Sequence, residues 1–389
     1  MHRHNKSLRH SRMAALLVFL TVLLTLLSGT VAVSAQAEAP NATIISPEVA
    51  ADGTVTFRYV APEGTTRVQI YGEWSKPTGD FFCSPWPTPD MTQDANGVWT
   101  YSIQLEPNYY NYRFYVWHEE AGNPVRVQTH DPLNPPWDPT GINSQVYVPG
   151  PDVEWLAPQD VPHGRLQVVW YYSAATQTDR RMSVYTPPGY DQDNRTYPTL
   201  YLSHGAMGND VDWSTQGAAN NILDNLIAAK KIRPMVVVMT NYNGIPGSTN
   251  GYRLDLLNSM IPAIEAQFRV NRNPDQRAFG GLSAGGGRAS NIMFNSPDAF
   301  GFYGLWSMAG RAPELTDPAW QNPALKEIRG IHIGCGYSDS LIIRSYDLMS
   351  KLDTMEIPYY TNLMDGCHTW FVWRDNLYDF LTTILFKIN

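Results

Sequence analysis

Between residues 47 and 149 polar and apolar positions alternate with a period of two. Thr54-Val55-Thr56-Phe57-Arg58-Tyr59, Arg67-Val68-Gln69-Ile70-Tyr71 and Trp99-Thr100-Tyr101-Ser102-Ile103 each place every second side chain on one face, the mark of a half-buried strand. Residues 110–116 read as a further, aromatic-rich strand, and Asp52-Gly53, Asn96-Gly97 and Pro107-Asn108 are turn signals between them. Short strands at this spacing, over about a hundred residues, predict an all-β immunoglobulin-like sandwich. Asn134-Pro135-Pro136-Trp137-Asp138-Pro139 and Pro149-Gly150-Pro151 then break regular structure, which puts a domain boundary near Gly150.

Residues 168–172 and 181–185 read as opening strands of a second domain, and beyond Thr199 the pattern becomes strand–helix alternation. Residues 199–202, 235–239, 277–280, 331–334 and 359–363 are short apolar strands; Met235-Val236-Val237-Val238-Met239 is apolar throughout, as a parallel strand covered on both faces must be. Helical spacing occupies residues 220–231, 254–268, 342–352 and 373–385, and another helix starts at Ala284. The expectation is a doubly wound α/β sheet over residues 151–389, after a β-sandwich over 38–150.

The first 37 residues follow neither pattern. Arg3, Lys6, Arg9 and Arg12 precede an apolar run over residues 13–27, and Ala35-Gln36-Ala37 offers a small-residue cleavage site, with Val33-Ser34-Ala35 as a second option. The run is short for a membrane span of about 20 residues. Residues 1–37 therefore read as a cleaved export signal, leaving a secreted or periplasmic chain without membrane contact.

Composition narrows the class. With 43% hydrophobic and 16% charged residues the chain is globular rather than disordered. The aromatic share of 12% suits an extracellular carbohydrate-active protein, although rings are also ordinary core material. The formal net charge of −8 becomes more negative once a signal with four basic residues and no acidic ones is removed, so nucleic acid is excluded as a partner. Three cysteines, Cys83, Cys335 and Cys367, build neither a disulfide scaffold nor a zinc site, so no metal is expected.

The chemistry concentrates late in the chain. Gly281-Leu282-Ser283-Ala284-Gly285 fits G-x-S-x-G between a strand and a helix, the context of a nucleophile elbow in an α/β-hydrolase fold. Ser283 would stand at a helix N-terminus, whose free N–H groups favour developing negative charge. The acid and base follow the nucleophile in this fold. Only His332 and His368 come after Ser283; His332 lies inside an apolar strand and reads as a core residue, whereas His368 follows a strand and the turn Asp365-Gly366-Cys367. His368 is the expected base. Asp339, just beyond the strand at 331–334, is the expected acid, with a plain helix N-cap as the bland alternative; Asp347 and Asp353 lie on or beyond the next helix, and Asp365 is too near His368 in sequence. The oxyanion hole is expected from the backbone N–H groups of Ala284 and of Ala206 in Leu202-Ser203-His204-Gly205-Ala206, with His204 shaping that loop. Trp213 and Trp370 are candidate substrate contacts.

These residues carry a family resemblance. From about Val161 onward the chain resembles the esterase D and feruloyl esterase group, carbohydrate esterase family one, in Met182-Ser183-Val184-Tyr185-Thr186-Pro187-Pro188-Gly189-Tyr190, Tyr197-Pro198-Thr199-Leu200-Tyr201-Leu202-Ser203-His204-Gly205, Gly280-Gly281-Leu282-Ser283, and His368-Thr369-Trp370 with Trp373-Arg374. The N-terminal part resembles the sandwich module that precedes bacterial feruloyl esterases, in Asp52-Gly53-Thr54-Val55-Thr56-Phe57, Asp94-Ala95-Asn96-Gly97-Val98-Trp99, Tyr110-Asn111-Tyr112-Arg113-Phe114 and Asp131-Pro132-Leu133-Asn134-Pro135. Departures are Ala284 where the family often has Met, Ala206 where it usually has a second Gly, and Cys367 where Gly is usual. The resemblance implies a cofactor-independent serine esterase removing feruloyl or other acyl groups from plant cell-wall polysaccharide, or acting on a small-molecule ester. Alternatives are an acetylxylan or general short-acyl esterase, an exported acyltransferase and a siderophore esterase. It also makes the strands ending at Cys335 and Cys367 sheet neighbours; two buried free thiols are the preferred reading there, and a bridge between them the alternative.

Overall fold

The computed structural model describes residues 44–74 and 88–387. The expected export signal and Cys83 lie outside the described residues. Among those described, no helix is long and apolar enough to cross a membrane.

The first part of the chain forms eight strands: β1 (Glu48–Val49), β2 (Thr54–Val60), β3 (Thr65–Gly72), β4 (Thr92–Gln93), β5 (Val98–Gln104), β6 (Asn108–Glu120), β7 (Asn123–Thr129) and β8 (Ser144–Val148). They make two antiparallel sheets, one ordered β1-β2-β5-β4 and one in which β6 pairs with β3, β7 and β8. The period-two pattern decides which side chains enter the core: Val55, Phe57 and Tyr59 of β2 are buried and alternate with partly exposed Thr54, Thr56 and Arg58. They join Val68, Ile70, Tyr112, Phe114 and Val146 from the other sheet in one apolar cluster.

The second part builds an eight-stranded mixed sheet. Its elements are β9 (Arg165–Ser173), β10 (Thr178–Thr186), β11 (Thr199–Ser203), α1 (Ala219–Ala228), β12 (Val236–Thr240), α2 (Ser248–Asp255), α3 (Ile261–Gln267), β13 (Arg277–Leu282), α4 (Ala284–Asn295), β14 (Phe302–Trp306), β15 (Gly330–Gly336), α5 (Ile342–Thr354), β16 (Tyr360–Met364) and α6 (Trp370–Thr383). The strand order is β16-β15-β14-β13-β11-β12-β10-β9. Strands β11 to β16 run parallel, while β10 joins β12 and β9 antiparallel. Helices α2 to α5 share the apolar cluster on one face, through residues such as Tyr252, Ile264, Ile292 and Leu348. Helices α1 and α6 cover the other, through Ile222, Leu226, Leu377 and Phe380. Parallel strands buried on both faces explain the unbroken apolar runs of β11 and β12.

Two features differ from the expected pattern. The helix expected over residues 254–268 starts at Ser248 and widens into a π turn over Leu256–Met260 before α3. Pro262, in the first turn of α3, has no N–H for the helical ladder, and the wider turn accommodates that loss. Strand β14 was not expected at all, yet it lies between β13 and β15 near the middle of the parallel sheet.

The described residues cluster as one compact unit, so the antiparallel sheets and the mixed sheet pack together. Phe371 of α6 packs on the core of the antiparallel sheets, edge-on to Tyr110, and polar bonds cross the same contact. Arg181 of β10 bonds Asp138 and Asp210, each at 2.9 Å, and Trp137 donates its indole N–H to Ser214 at 2.9 Å. Deeper in, Glu73, just past β3, meets Arg374 of α6 at 3.2 Å with both side chains buried. Arg374 also donates to the carbonyls of Tyr109 and Gln216, each at 2.7 Å, so the buried guanidinium is satisfied from three segments.

Candidate active site

Ser283 sits between the end of β13 and the start of α4, with φ 52° and ψ −115°. Only crowding holds a non-glycine residue in that region. The crowding is visible at its neighbours: a Cβ on Gly281 would come within 2.6 Å of the Gly285 backbone, and one on Gly285 within 2.5 Å of the Ser203 carbonyl oxygen. The elbow therefore needs glycine on both sides of Ser283.

The structure brings Ser283, His368 and Asp339 together from three loops at the C-terminal ends of parallel strands. His368 Nε2 lies 3.0 Å from Ser283 Oγ, and His368 Nδ1 lies 2.7 Å from Asp339 Oδ2. A carboxylate only accepts, so Nδ1 carries the ring proton and Nε2 is left to accept from the hydroxyl. Asp339 is buried, and its second oxygen accepts the Leu341 N–H at 2.8 Å. Burial works to raise its pKa, but the bond and charge of His368, with bonds from the Leu341 N–H and Ser307, together hold it below the usual value. The bland reading does not hold: the N-cap residue of α5 is Leu341, without a side-chain cap, and the bond from its N–H to Asp339 lies in the turn before the helix. Asp347 is engaged elsewhere, with Lys351 at 3.0 Å. The His368 ring stands edge-on to Trp373 at 4.9 Å between centroids, and the Trp373 indole N–H is held by Ser307 Oγ at 3.0 Å.

Ala284 and Ala206, the expected oxyanion donors, lie on the two segments next to the elbow. Ala284 opens α4, so its N–H has no partner within the helix. Gly205 packs against Leu282 and Ser283, which brings the loop carrying Ala206 beside the elbow. The Gly205 carbonyl, on the same peptide unit as the Ala206 N–H, accepts from the Tyr242 hydroxyl and from His204 Nδ1. Burial lowers the His204 pKa to about 4, so the ring is neutral near pH 7 and donates from Nδ1. His204 stacks on Tyr242 at 4.0 Å, and the Arg288 guanidinium covers the Tyr242 ring at 3.3 Å. Sequence reasoning missed Tyr242 and Arg288, which carry no motif.

The expected substrate contacts and the expected cysteine pairing are corrected, while the reading of His332 stands. Trp213 is 1% exposed and Trp370 6% exposed; they pack edge to face at 5.2 Å in the core, and the Trp213 indole N–H is bonded to the Ser203 carbonyl. Side chains so enclosed are core and cannot meet substrate. His332, read as a core residue, is fully buried, accepting from Trp306 and facing Asp379, both at 2.9 Å. Cys335 is a buried free thiol, but Cys367 is disulfide-bonded, so neither the bridge between them nor the pair of free thiols holds. The chain's one other cysteine is Cys83. Among the described residues no group of three or more His, Cys, Asp or Glu is placed to hold a metal ion.

The sequence matches the family described as "Putative esterase" over residues 173–384, more than half of the chain. It is 30% identical over 312 residues to an endo-1,4-beta-xylanase/feruloyl esterase of Xylanibacter ruminicola, covering 75% of this chain but only 39% of that protein's length. A ferulic acid esterase from Anaeromyces mucronatus superposes with a TM-score of 0.54 at 22% identity, over 61% of this chain and 96% of its own. An enterochelin esterase from Shigella flexneri superposes with a TM-score of 0.60 at 18% identity, over 86% of this chain and 94% of its own. At these identities the two structures show a shared fold, of α/β-hydrolase type. With the family match spanning the strands that bear Ser283, Asp339 and His368, the chain belongs to the esterase family.

Proposed function

We propose that the chain is an exported serine carboxylesterase that removes feruloyl groups from plant cell-wall polysaccharide. The observation that carries this reading is the placement of His368 between Ser283 and Asp339 at hydrogen-bonding distances. In this reading residues 1–37 are the export signal, 38–150 an immunoglobulin-like module and 151–389 the esterase domain.

Ser283 Oγ attacks the ester carbonyl carbon while His368 Nε2 takes its proton. The new C–O bond leaves negative charge on the former carbonyl oxygen, where the N–H groups of Ala206 and Ala284 receive it. Asp339 keeps the ring tautomer fixed and stabilises the imidazolium without taking its proton. Collapse breaks the bond to the alcohol oxygen, which leaves with the proton from His368. Water then attacks the acyl-enzyme as His368 takes its proton; collapse breaks the bond to Ser283 Oγ, which recovers that proton from His368 as the acid departs. Met207, 97% exposed beside the Ala206 donor, offers an apolar, adaptable contact for an aryl acyl group.

The likeness to the xylanase/feruloyl esterase of Xylanibacter ruminicola supports the feruloyl reading. The longer superposition of the enterochelin esterase, reaching into the antiparallel sheets, favours a siderophore ester as the second reading. Hydrolysis of methyl ferulate, feruloylated xylan, acetylated xylan and enterochelin by wild type and Ser283→Ala decides between them. Feruloyl esters are expected to show the highest kcat/KM, with Ser283→Ala inactive on all four. Preference for enterochelin or acetyl groups overturns the substrate, and an active Ser283→Ala overturns the mechanism.

A further inference from the structure

We infer that Glu73, a residue of the antiparallel-sheet part of the chain, is a positioning residue for His368. The inference rests on the reading of His368 as the base.

Helix α6 starts at Trp370, two residues after His368, and its N-cap residue Thr369 makes no side-chain cap. An uncapped helix start leaves N–H groups without partners. Here Glu73 Oε1 accepts the Trp370 N–H at 2.9 Å, from 297 residues away in sequence. The carboxylate also lies where the helix dipole favours negative charge. Its other oxygen accepts from Arg374 at 3.2 Å and from the Asn111 side chain at 2.8 Å. Trp370 and Arg374 are four residues apart, hence on one face of the first turn of α6. One buried carboxylate from a different part of the chain therefore fixes that turn.

The turn carries the base. Trp373, which stands edge-on to the His368 ring, belongs to it, and its indole is tied to Ser307. Tilting the first turn of α6 moves both Trp373 and the short link from Trp370 back to His368. On the other side of the base, Cys367 is tethered by its disulfide. His368 is thus held from both sides, and the hold on its C-terminal side comes from Glu73. Displacing a reacting group by about 1 Å costs roughly 100-fold in rate. A group that sets the position of the base, but touches no substrate, lowers kcat without changing KM when it is removed.

The test compares wild type, Glu73→Gln and Asn111→Ala in the full-length chain. Glu73→Gln keeps volume but turns a donor toward Arg374. Asn111→Ala leaves the ion pair and removes one bond to Glu73, so it keeps the question open to test if Glu73→Gln does not fold. Steady-state hydrolysis of p-nitrophenyl acetate, the rate of Ser283 phosphonylation by a small fluorophosphonate and the melting temperature are measured, the kinetics well below the lower Tm. The expected result is a fall in kcat of about 10- to 100-fold for Glu73→Gln and about 3-fold for Asn111→Ala, with KM nearly unchanged and phosphonylation slowed in parallel. A folded variant with lower Tm but wild-type kcat and phosphonylation rate overturns the inference and leaves Glu73 as structural support alone. Ser283→Ala, run alongside, separates the two failures: if it still turns over, the esterase reading has failed rather than the role of Glu73.

Discussion

The Tyr242 hydroxyl donates to the carbonyl of Gly205, whose peptide partner is the N–H of Ala206. A peptide unit is planar, so fixing its carbonyl fixes the direction of its N–H. Bonds from Tyr242 and His204 to one carbonyl therefore aim the Ala206 N–H and polarise it. Tyr242→Phe keeps the ring beneath Arg288 and removes one of three bonds to that carbonyl, the third coming from the Gly208 N–H at 3.3 Å. The expected outcome is a fall in kcat of roughly 10-fold with KM little changed, since the donor acts mainly on the transition state. An unchanged kcat on p-nitrophenyl acetate would remove Tyr242 from the oxyanion machinery.

Ser283→Ala, His368→Ala and Asp339→Asn are each expected to lower kcat steeply, by about 10³-fold or more, and the double variants little further, because the three side chains act as a unit. Asp347→Asn is the control, since Asp347 pairs with Lys351. Near wild-type turnover in Asp339→Asn together with loss in Asp347→Asn would reverse the assignment of the acid.

Thiol chemistry separates Cys335 from Cys367. Burial pushes the Cys335 thiol up to about 12, so in the folded protein it is protonated and shielded. Titration with a chromogenic disulfide is expected to find no reactive thiol in the native chain, one after denaturation and three after denaturation with reduction. Three before reduction would show that Cys367 carries no bridge.

The oxyanion loop also packs on Asp212, a buried carboxyl raised to about 7 by burial; the Asn209 N–H and Gln216 oppose that rise and the charge of Asp210 adds to it. Between pH ~4 and ~7 the folded chain holds this proton and the unfolded chain has lost it, so stability falls as pH rises through that window. Asp212→Asn has no proton to lose. Calorimetry is expected to place its Tm relative to wild type higher at pH 8 than at pH 5. A gap that does not change with pH would mean Asp212 ionises normally.

What could be read in the chain followed from local pattern. The alternation over Thr54 to Tyr59, the apolar run of β12 and the glycines around Ser283 each constrain structure within a few residues, and each lies where it was expected. Strand β14, Phe302-Tyr303-Gly304-Leu305-Trp306, escaped notice because five residues with a glycine in the middle resemble a loop as much as a strand. Trp213 and Trp370 misled because aromatic side chains near a base suit a binding cleft and a core equally well; only burial separates the two. Glu73 and Tyr242 left no trace, since their importance comes from partners far away in the chain.

The pairing of Glu73 with Arg374 bears on how such a chain can be inherited. A buried guanidinium stripped of its carboxylate is left as an uncompensated charge, and helix α6 loses its borrowed cap at the same stroke. Recombination that brought a foreign module to the front of the chain would have to supply a carboxylate at the same spot. The two parts are matched like a lock and its own key, and descent is expected to keep them as a pair.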